Sequence, residues 1–290
     1  MKDFLVGSSR VKLYAWASLV SQILIVVTGG AVRLTGSGLG CPTWPECQPG
    51  SLVTVPELGI HGFIEFANRL LTFVLLLISL LTFITVLRLK SSKRGLFWTS
   101  LCLGLGIVAQ AVLGGITVLT GLNSWVVGAH FVVSMILIAI ATILVWYAYG
   151  AKSLPTDKSI KLVTSVLFPI GLLTVLLGVV VTGAGPHAGD ADTPRNGLDI
   201  ELMSHFHSYP AYAALGLVVV QVLLLLRSRT RATSSLFLLI ALILQALIGI
   251  IQSRMGLPIE LVGLHMLGAS VLASLFTWQM LVRQIWFAKK

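Results

Sequence analysis

Eight apolar stretches dominate the sequence, and each is long enough to cross a lipid bilayer as a helix, which takes about 20 mostly apolar residues. Only 10% of the residues are charged, against about 25% in a soluble domain, which excludes a soluble enzyme. The first stretch is too long for a cleaved signal peptide, so we expect a permanent span. The sequence therefore predicts an all-α integral membrane protein with eight transmembrane helices. They lie at residues 13–33, 62–87, 97–119, 125–148, 161–183, 205–226, 234–253 and 260–283.

The basic residues predict the orientation of these spans. With the amino terminus in the cytoplasm, 16 of the 20 Lys and Arg residues fall on cytoplasmic segments, as the positive-inside rule requires. The exceptions are Arg33, Arg69, Arg195 and Arg254. We therefore expect a multi-pass protein of the cell membrane with both termini cytoplasmic. The net charge of +10 reflects this orientation, so we expect membrane lipid around the chain and no nucleic-acid partner.

The second half of the sequence repeats the first. Residues 110–130 match residues 245–265 at a constant offset of 135, with nine identities in 21 positions, among them a Gln, four glycine or alanine positions, a Leu and a His. Upstream, Thr35–Gly38 resembles Thr182–Gly185. These matches predict two pseudo-symmetric four-helix bundles in the same orientation, over residues 1–150 and 151–290.

Histidines lie at membrane depth in both halves, where ionisable groups are costly and usually functional. His130 and His265 occupy equivalent positions in spans 4 and 8, and span 6 contains His205 and His207. Facing histidines in a helical bundle can hold a haem iron on both axial sides. A single histidine of this kind can instead bond a neighbouring helix. Zinc or copper is disfavoured, because no Cys/His cluster has metal-ligand spacing.

Span 2 places three polar residues on one helix face. His61, Glu65 and Asn68 are spaced by four and three residues, and such residues are neighbours on a helix. Glu65 is a candidate proton donor or acceptor at a reaction centre. The alternative is a structural carboxylate paired with Arg69, four residues further on.

The three cysteines fall into two groups. Cys41 and Cys47 lie on the first of two long outer loops, 34–60 and 184–204. The compartment outside the membrane is oxidising, so a disulfide is expected; a redox-active dithiol is the alternative. Cys102 lies in span 3 and is expected to be a small buried apolar residue.

Several motifs together resemble the haem A synthase family, particularly its actinobacterial-like branch. The resemblance extends over about residues 10–285. The motifs are Gly-Gly-Ala-Val-Arg-Leu-Thr-Gly-Ser-Gly-Leu-Gly-Cys at 29–41 with the following Pro-Thr-Trp-Pro-Glu-Cys, Glu-Phe-Ala-Asn-Arg at 65–69, Gly-x-His at 128–130 and 263–265, and Gly-Pro-His-Ala-Gly-Asp at 185–190.

The resemblance implies an enzyme that oxidises the C8 methyl of haem O to a formyl group, giving haem A for cytochrome oxidase. It implies a substrate haem in the amino-terminal half, with His130 facing it, and a haem b cofactor in the carboxy-terminal half. The implied haem b ligands are His207 and His265, with His207 preferred over His205 because the stretch from 207 to Gly216 resembles the family's span 6. It also implies Glu65 as the catalytic acid/base and Cys41–Cys47 as a loop disulfide.

Asn68 departs from the commoner family motif Glu-x-x-His-Arg, which has a histidine at this position. Asparagine is a poor iron ligand, so the expected ligand is missing. His61 lies about 10 Å nearer the outer surface at 1.5 Å per residue and would replace it only for a haem bound closer to that surface. Otherwise His130 holds the substrate iron alone, with an open sixth position.

Four further residues are candidate partners of haem propionates on the otherwise acidic outer side. Arg33 and Arg69 flank the amino-terminal site, and Arg195 is expected to serve the carboxy-terminal one. His187, in the Gly-Pro-His-Ala-Gly loop, is a propionate candidate or a solvated loop histidine.

Two other functions fit parts of the pattern. A membrane b-type cytochrome that relays electrons from quinol shares the histidine pairs without modifying haem, and a transporter shares the repeat. Haem O synthase is a candidate partner, while the electron donor, the source of the formyl oxygen, the redox role of the cysteines and the oligomeric state stay open.

Overall fold

A computed structural model describes residues 10–89 and 93–283, and these form eight long helices. All eight are long and apolar enough to cross a membrane, so the prediction of an all-α multi-pass membrane protein is confirmed. Lys2, Lys90, Lys289 and Lys290, which contribute to the predicted charge bias, lie outside the described residues. The helices are α1 Val11–Leu34, α2 Gly59–Leu87, α3 Arg94–Leu119, α4 Ser124–Ala148, α5 Lys158–Ala184, α6 Ile200–Arg227, α7 Thr233–Arg254 and α8 Ile259–Val282.

The chain divides into two compact units. The amino-terminal unit comprises the described residues up to Tyr149 together with Thr182–Leu198, and the carboxy-terminal unit comprises Gly150–Val181 and the described residues from Asp199 onward. The outer loop between α5 and α6 thus packs with the amino-terminal unit. The assignment of one half to the substrate and the other to haem b stays a prediction.

Within the amino-terminal unit, the four helices pack as a ring. Helix α1 lies beside α2 and α4, and α3 also lies beside α2 and α4. Sequential antiparallel neighbours of this kind follow from the short connections between the helices. A long loop joins α1 to α2, and its last turn is a 3-10 helix at Pro56–Leu58.

The carboxy-terminal unit has a core to which all four of its helices contribute. Leu167 of α5, Val218 of α6, Leu238 of α7 and Leu272 of α8 belong to one buried apolar cluster. Further along the bundle, a buried polar network also crosses the helices. Gln221 donates to Thr164 Oγ1 at 2.6 Å, while Gln279 donates to Gln221 Oε1 at 2.7 Å and to Ser235 Oγ. Because lipid offers no hydrogen bonds, such side-chain bonds link helices directly.

The predicted repeat also governs the turns between the last two helices of each unit. Leu122 and Leu257 both have a positive φ, of 58° and 63°. Their N–H groups donate to Thr117 O and Gln252 O, each at 2.8 Å, which is the hydrogen bond of a Schellman helix end. The two units therefore share this turn conformation at the same offset of 135 that relates their sequences.

The expectation for Cys102 is wrong, because its side chain is exposed on α3. The expectation rested on burial as it occurs in water-soluble proteins, where small apolar residues are mostly inside. A membrane helix can present such residues on its outer face, since lipid tails are as apolar as the protein interior.

Candidate functional site

Two histidines meet inside the carboxy-terminal unit. The ring centroids of His207 on α6 and His265 on α8 lie 6.2 Å apart, with the ring planes at 70°. The His207 Nδ1 lies 2.9 Å from the backbone oxygen of Thr174 on α5. A carbonyl only accepts, so Nδ1 donates the bond and Nε2 carries no proton, which is the tautomer that binds a metal. Nδ1 of His265 is buried and has no hydrogen-bond partner.

Glycines on the neighbouring helices make room for both rings. A methyl group built on Gly178 of α5 would lie 2.9 Å from Cε1 of His207, and one built on Gly249 of α7 would lie 3.1 Å from Cε1 of His265. Any larger residue would therefore displace the ring that faces it. His205, two residues before His207, is instead exposed and stacks on Tyr209.

This arrangement fits a haem iron between the two rings. Metal–imidazole bonds of about 2.0–2.1 Å and a ring radius of roughly 1.1 Å place the centroids of two axial imidazoles about 6.3 Å apart. The observed separation is 6.2 Å. Among residues 10–89 and 93–283, no group of three His, Cys, Asp or Glu side chains could hold a bare metal ion. Two facing histidines are a donor set that suits an axially bound macrocycle.

The surroundings of His265 recur around His130 in the amino-terminal unit. A methyl group built on Gly114 of α3 would lie 3.3 Å from Cε1 of His130, and Nδ1 of His130 is again buried without a partner. Gln110 of α3 donates to the backbone oxygen of His130 at 3.1 Å. In the other unit, Gln245 donates to the backbone oxygen of His265 at 3.0 Å.

These glutamines are site residues that the sequence reasoning missed. Both lie in the matched segments of the repeat, and each binds the histidine-bearing helix of its own unit. The signal was present as one of the nine identities at offset 135. The identity of the glutamines could be interpreted only once the structure showed that the third helix of each unit packs against the backbone at the histidine of the fourth helix.

Glu65 and Arg69 form a buried ion pair on α2. The Arg69 Nη2 lies 2.6 Å from Glu65 Oε1, and Arg69 Nε donates to the same oxygen at 3.1 Å. The Glu65 side chain is only 7% exposed. Its other oxygen, Oε2, accepts from the backbone N–H of Cys41 at 2.6 Å. The pairing that the sequence offered as an alternative for Glu65 is thus present.

The cysteine loop is bound to this ion pair. Arg69 donates to the backbone oxygens of Cys41 and Thr43 at 3.0 Å each and to that of Glu46 at 3.2 Å. Cys41 and Cys47 form a disulfide and are fully buried, which confirms the predicted bond. All three guanidinium nitrogens are therefore engaged by Glu65 and the loop.

The cysteine loop also packs against α3, the helix before the one that carries His130. The Trp44 ring lies directly on Gly115 of α3, next to Gly114, so only glycine permits this approach. At the start of α2, His61 is exposed and its Nδ1 lies 2.9 Å from Ser37 Oγ. His61 thus lies at the exposed edge of the cysteine loop, bound to Ser37.

Asn68 lies one turn below Glu65 on α2. A methyl group built on Gly29 of α1 would lie 3.9 Å from Asn68 Nδ2, and Asn68 Oδ1 is buried without a hydrogen-bond partner. Asn68 thus faces a glycine of the first helix, as His207 faces Gly178 in the other unit.

The remaining cations gather at the loop end of the amino-terminal unit. Arg33 donates to Thr182 O at 2.9 Å, and Arg195 donates to Pro186 O. The two guanidinium groups are close enough to repel each other. Arg195 was expected to serve the carboxy-terminal half, but its loop packs with the amino-terminal unit. His187 lies half-buried in the same loop.

A backbone bond explains the placement of this loop. The Gly38 N–H donates to Gly189 O at 2.8 Å, which joins the cysteine loop to the α5–α6 loop. Asn196 N–H also donates to Gly183 O at 3.0 Å. The sequence assigned residues 184–198 to the second half by their position in the chain. No sequence pattern marks the loop contacts that join them to the amino-terminal unit.

The sequence matches the COX15-CtaA family, described as a cytochrome oxidase assembly protein, over residues 12–277. It is 33% identical over 134 residues to the heme A synthase of Lysinibacillus sphaericus. The aligned segment covers 46% of this chain and 43% of that protein. It is 32% identical over 168 residues to the heme A synthase of Bacillus pumilus, covering 56% and 54%. For the heme A synthase of Bacillus licheniformis, the identity is 26% over 171 residues, covering 57% and 54%.

The matched segments span about half the length of these curated relatives. The family match, in contrast, includes six of the eight helices in full, all of α1 but its first residue, and most of α8. It contains both histidine-bearing units and the cysteine loop. The chain therefore belongs to the COX15-CtaA family of cytochrome oxidase assembly proteins.

Proposed function

We propose that this protein is a haem A synthase, a membrane oxidoreductase that converts the C8 methyl group of haem O to a formyl group. The family match and the names of the relatives support this activity. The observation that carries the proposal is the meeting of His207 and His265 at a separation that suits one iron. The repetition of the His265 surroundings at His130 adds a second haem position.

In this proposal, the carboxy-terminal unit holds haem b through His207 and His265. The Thr174 carbonyl orients the His207 ring and leaves Nε2 free for iron. Two histidine ligands keep an iron six-coordinate, which suits electron transfer rather than reaction with small molecules. When bound there, haem b supplies a one-electron carrier for the oxidation of the substrate.

The amino-terminal unit binds haem O as the substrate, with His130 as the protein ligand of its iron. The Gln110 amide and Gly114 fix the helix and the ring position of this histidine. Held in this way, the porphyrin would present its C8 methyl at one place, which is the main benefit of substrate positioning.

Glu65 serves as the acid/base group of methyl oxidation. Written with water as the oxygen source, the methyl group and one net water give the formyl group, four protons and four electrons. An alcohol forms first and then a geminal diol, which loses water to give the aldehyde, while an external electron acceptor takes the electrons. Arg69 and the Cys41 N–H hold both oxygens of Glu65 at fixed positions. A carboxylate held in this way is a proton acceptor of defined geometry. The disulfide loop keeps bulk water away from it.

Arg33 and Arg195 are the proposed partners of the haem O propionates, with His187 as a further candidate. These two guanidinium groups repel each other at the loop end of the unit, and a pair of carboxylates would offset that repulsion. We do not retain Arg69 for this role, because its nitrogens already bind Glu65 and three loop carbonyls.

We propose the cell membrane as the location, with both termini in the cytoplasm and the cysteine loop outside. The concentration of 16 of the 20 basic residues on one side supports this orientation. Haem O synthase is the candidate supplier of the substrate. We do not retain an electron relay as the function, since the relatives that match this chain are named as synthases.

The test is pigment analysis of the purified protein after co-expression with a haem O synthase. The wild type should contain haem b and haem A or hydroxylated haem O, whereas Glu65→Gln should keep haem b and accumulate haem O. The matched control is Glu57→Gln, because Glu57 is exposed on the 3-10 turn before α2. A normal yield of haem A from Glu65→Gln would refute the role of Glu65, and a wild type without haem would refute the function.

A further inference from the structure

The two units differ at one of four related positions. In each unit, a glycine of the first helix faces a side chain of the second, and a glycine of the third helix faces a histidine of the fourth. His207 occupies the second-helix position of the carboxy-terminal unit, and Asn68 occupies it in the amino-terminal unit. The amino-terminal unit therefore has the same frame with one imidazole replaced by a carboxamide.

The depth of these residues along their helices is similar. Asn68 lies nine residues after the start of α2, and His207 lies seven residues after the start of α6. Gly29 and Gly178 lie five and six residues before the ends of α1 and α5. At 1.5 Å per residue, the two positions agree to about 3 Å along the helix axis. The correspondence thus rests on helix geometry as well as on the facing glycine.

An asparagine does not replace the missing ligand. The side chains that hold haem iron are histidine, cysteine, methionine and tyrosine. Asn68 Oδ1 is buried and has no hydrogen-bond partner, so no hydrogen bond through this oxygen fixes the orientation of the amide. A carboxamide also offers two N–H donors.

His61 is not in a position to take over. It lies two residues after the start of α2, is exposed, and is bound to Ser37 Oγ at the edge of the cysteine loop. Seven residues of helix, about 10 Å, separate it from Asn68 along the axis. The frame of facing glycines is at the depth of Asn68 and not at that of His61.

We propose that the amino-terminal unit binds the haem O iron through His130 alone and that Asn68 borders its other axial position. That position is then a binding site for a small neutral diatomic ligand, to which the Asn68 amide donates a hydrogen bond. The proposal rests on the proposed function, since it requires haem O in this unit. The two units then differ chemically. The iron in the amino-terminal unit can bind an added ligand, whereas the iron in the carboxy-terminal unit already has two histidine ligands.

Carbon monoxide is the probe, added to the reduced full-length protein that carries haem b and haem O. The wild type should bind about one CO per haem O and none per haem b, as measured by the shift of the Soret band against extracted pigments. Asn68→His should complete a second histidine pair and lower CO binding by at least about tenfold. The ferric haem O should change from high spin to low spin in the electron paramagnetic resonance spectrum.

Two further variants keep the test decisive. His207→Asn is the reciprocal exchange and should make the haem b iron reactive toward CO. Asn68→Leu has a similar size but no donor, so it should keep CO binding and shift the C–O stretching frequency in the infrared spectrum. An unchanged frequency would overturn the hydrogen bond from Asn68, even if Asn68→His did not fold.

The outcomes separate the inference from the proposed function. A wild type that binds haem O and converts it, but whose haem O is low-spin and inert to CO, overturns the inference and leaves the function standing. CO binding that is unaffected by Asn68→His also overturns it. A wild type that binds no haem O refutes the proposed function itself.

Discussion

Arg69 donates three of the hydrogen bonds that attach the cysteine loop to α2, and its replacement should release the loop. Arg69→Gln removes two hydrogen bonds to Glu65 and three to loop carbonyls. It also leaves Glu65, 7% exposed, without its counter-charge. Removing one partner of a buried ion pair costs about 3–5 kcal/mol. That free energy corresponds to an increase of about 140- to 4,000-fold in the equilibrium for loop opening.

The assay is the rate at which a water-soluble reductant cleaves the Cys41–Cys47 disulfide. Both cysteines are fully buried, so reduction requires the loop to open, and the rate should rise with the opening equilibrium. Thiols are trapped with a mass tag and resolved on a gel. All variants carry Cys102→Ser, because the exposed thiol of Cys102 would also react. Denatured protein sets the upper limit of the rate.

Two comparisons make the result specific. Glu65→Gln keeps the three bonds from Arg69 to the loop, so it should accelerate reduction less, by about 10- to 140-fold for a loss of about 1.5–3 kcal/mol. Arg254→Gln removes an exposed guanidinium from α7 and should leave the rate unchanged. A rate for Arg69→Gln within about threefold of the wild type, or about 0.7 kcal/mol, would refute the attachment.

Three more predictions concern the carboxy-terminal unit. His207→Ala should abolish the low-spin haem b spectrum, while His205→Ala, two residues away and exposed, should keep it; equal spectra would contradict the ligand choice. Gly249→Val should displace the His265 ring, which a methyl group would already approach to 3.1 Å, and thereby shift the paramagnetic resonance of haem b. Gln279→Leu leaves Gln221 Oε1 unpaired and removes one of two hydrogen bonds to Ser235 Oγ, which keeps the bond from Arg283. At about 1–3 kcal/mol for a buried unpaired oxygen, the thermal midpoint in detergent should fall by several degrees, at about 2–4 °C per kcal/mol.

The helices could be predicted because lipid imposes a minimum length on each apolar stretch. Helix α4, predicted at 125–148, is observed at Ser124–Ala148. Helix α6 was predicted from residue 205 but begins at Ile200, where Asp199 accepts a hydrogen bond from Leu202 N–H. Hydropathy alone does not mark this start, since Glu201 and Ser204 interrupt the apolar residues before the histidines. A capping residue is the signal that marks it.

The choice between neighbouring side chains depended on packing partners. The helical period put His205 and His207 on different faces of one helix without choosing between them, and only the family resemblance favoured His207. Only the position of Thr174 and Gly178 on α5 identifies the face that carries His207. For the same reason, the sequence offered Arg69 to a propionate, because the loop carbonyls that surround it are set by the path of the backbone.

The two units use the same helix frame for different chemistry, and the difference is concentrated on their second helices. An offset of 139 relates Asn68 to His207, and it also relates Glu65 to Ser204 and Arg69 to Ser208. Both serines bond only their own helix, Ser204 to Ile200 O and Ser208 to His205 O. The amino-terminal unit therefore has an ion pair and a carboxamide with an unpaired oxygen where the other unit has a histidine and two hydroxyls bonded to their own helix.

This asymmetry argues for a division of labour that follows from the side chains alone. A metal site that must accept and release electrons needs both axial positions filled and few groups that exchange protons. A site that oxidises a methyl group needs an open axial position and a fixed proton acceptor nearby. Asn68 and Glu65 lie three residues apart on one face of α2, so under the proposed function a single turn of helix would provide the amino-terminal unit with both.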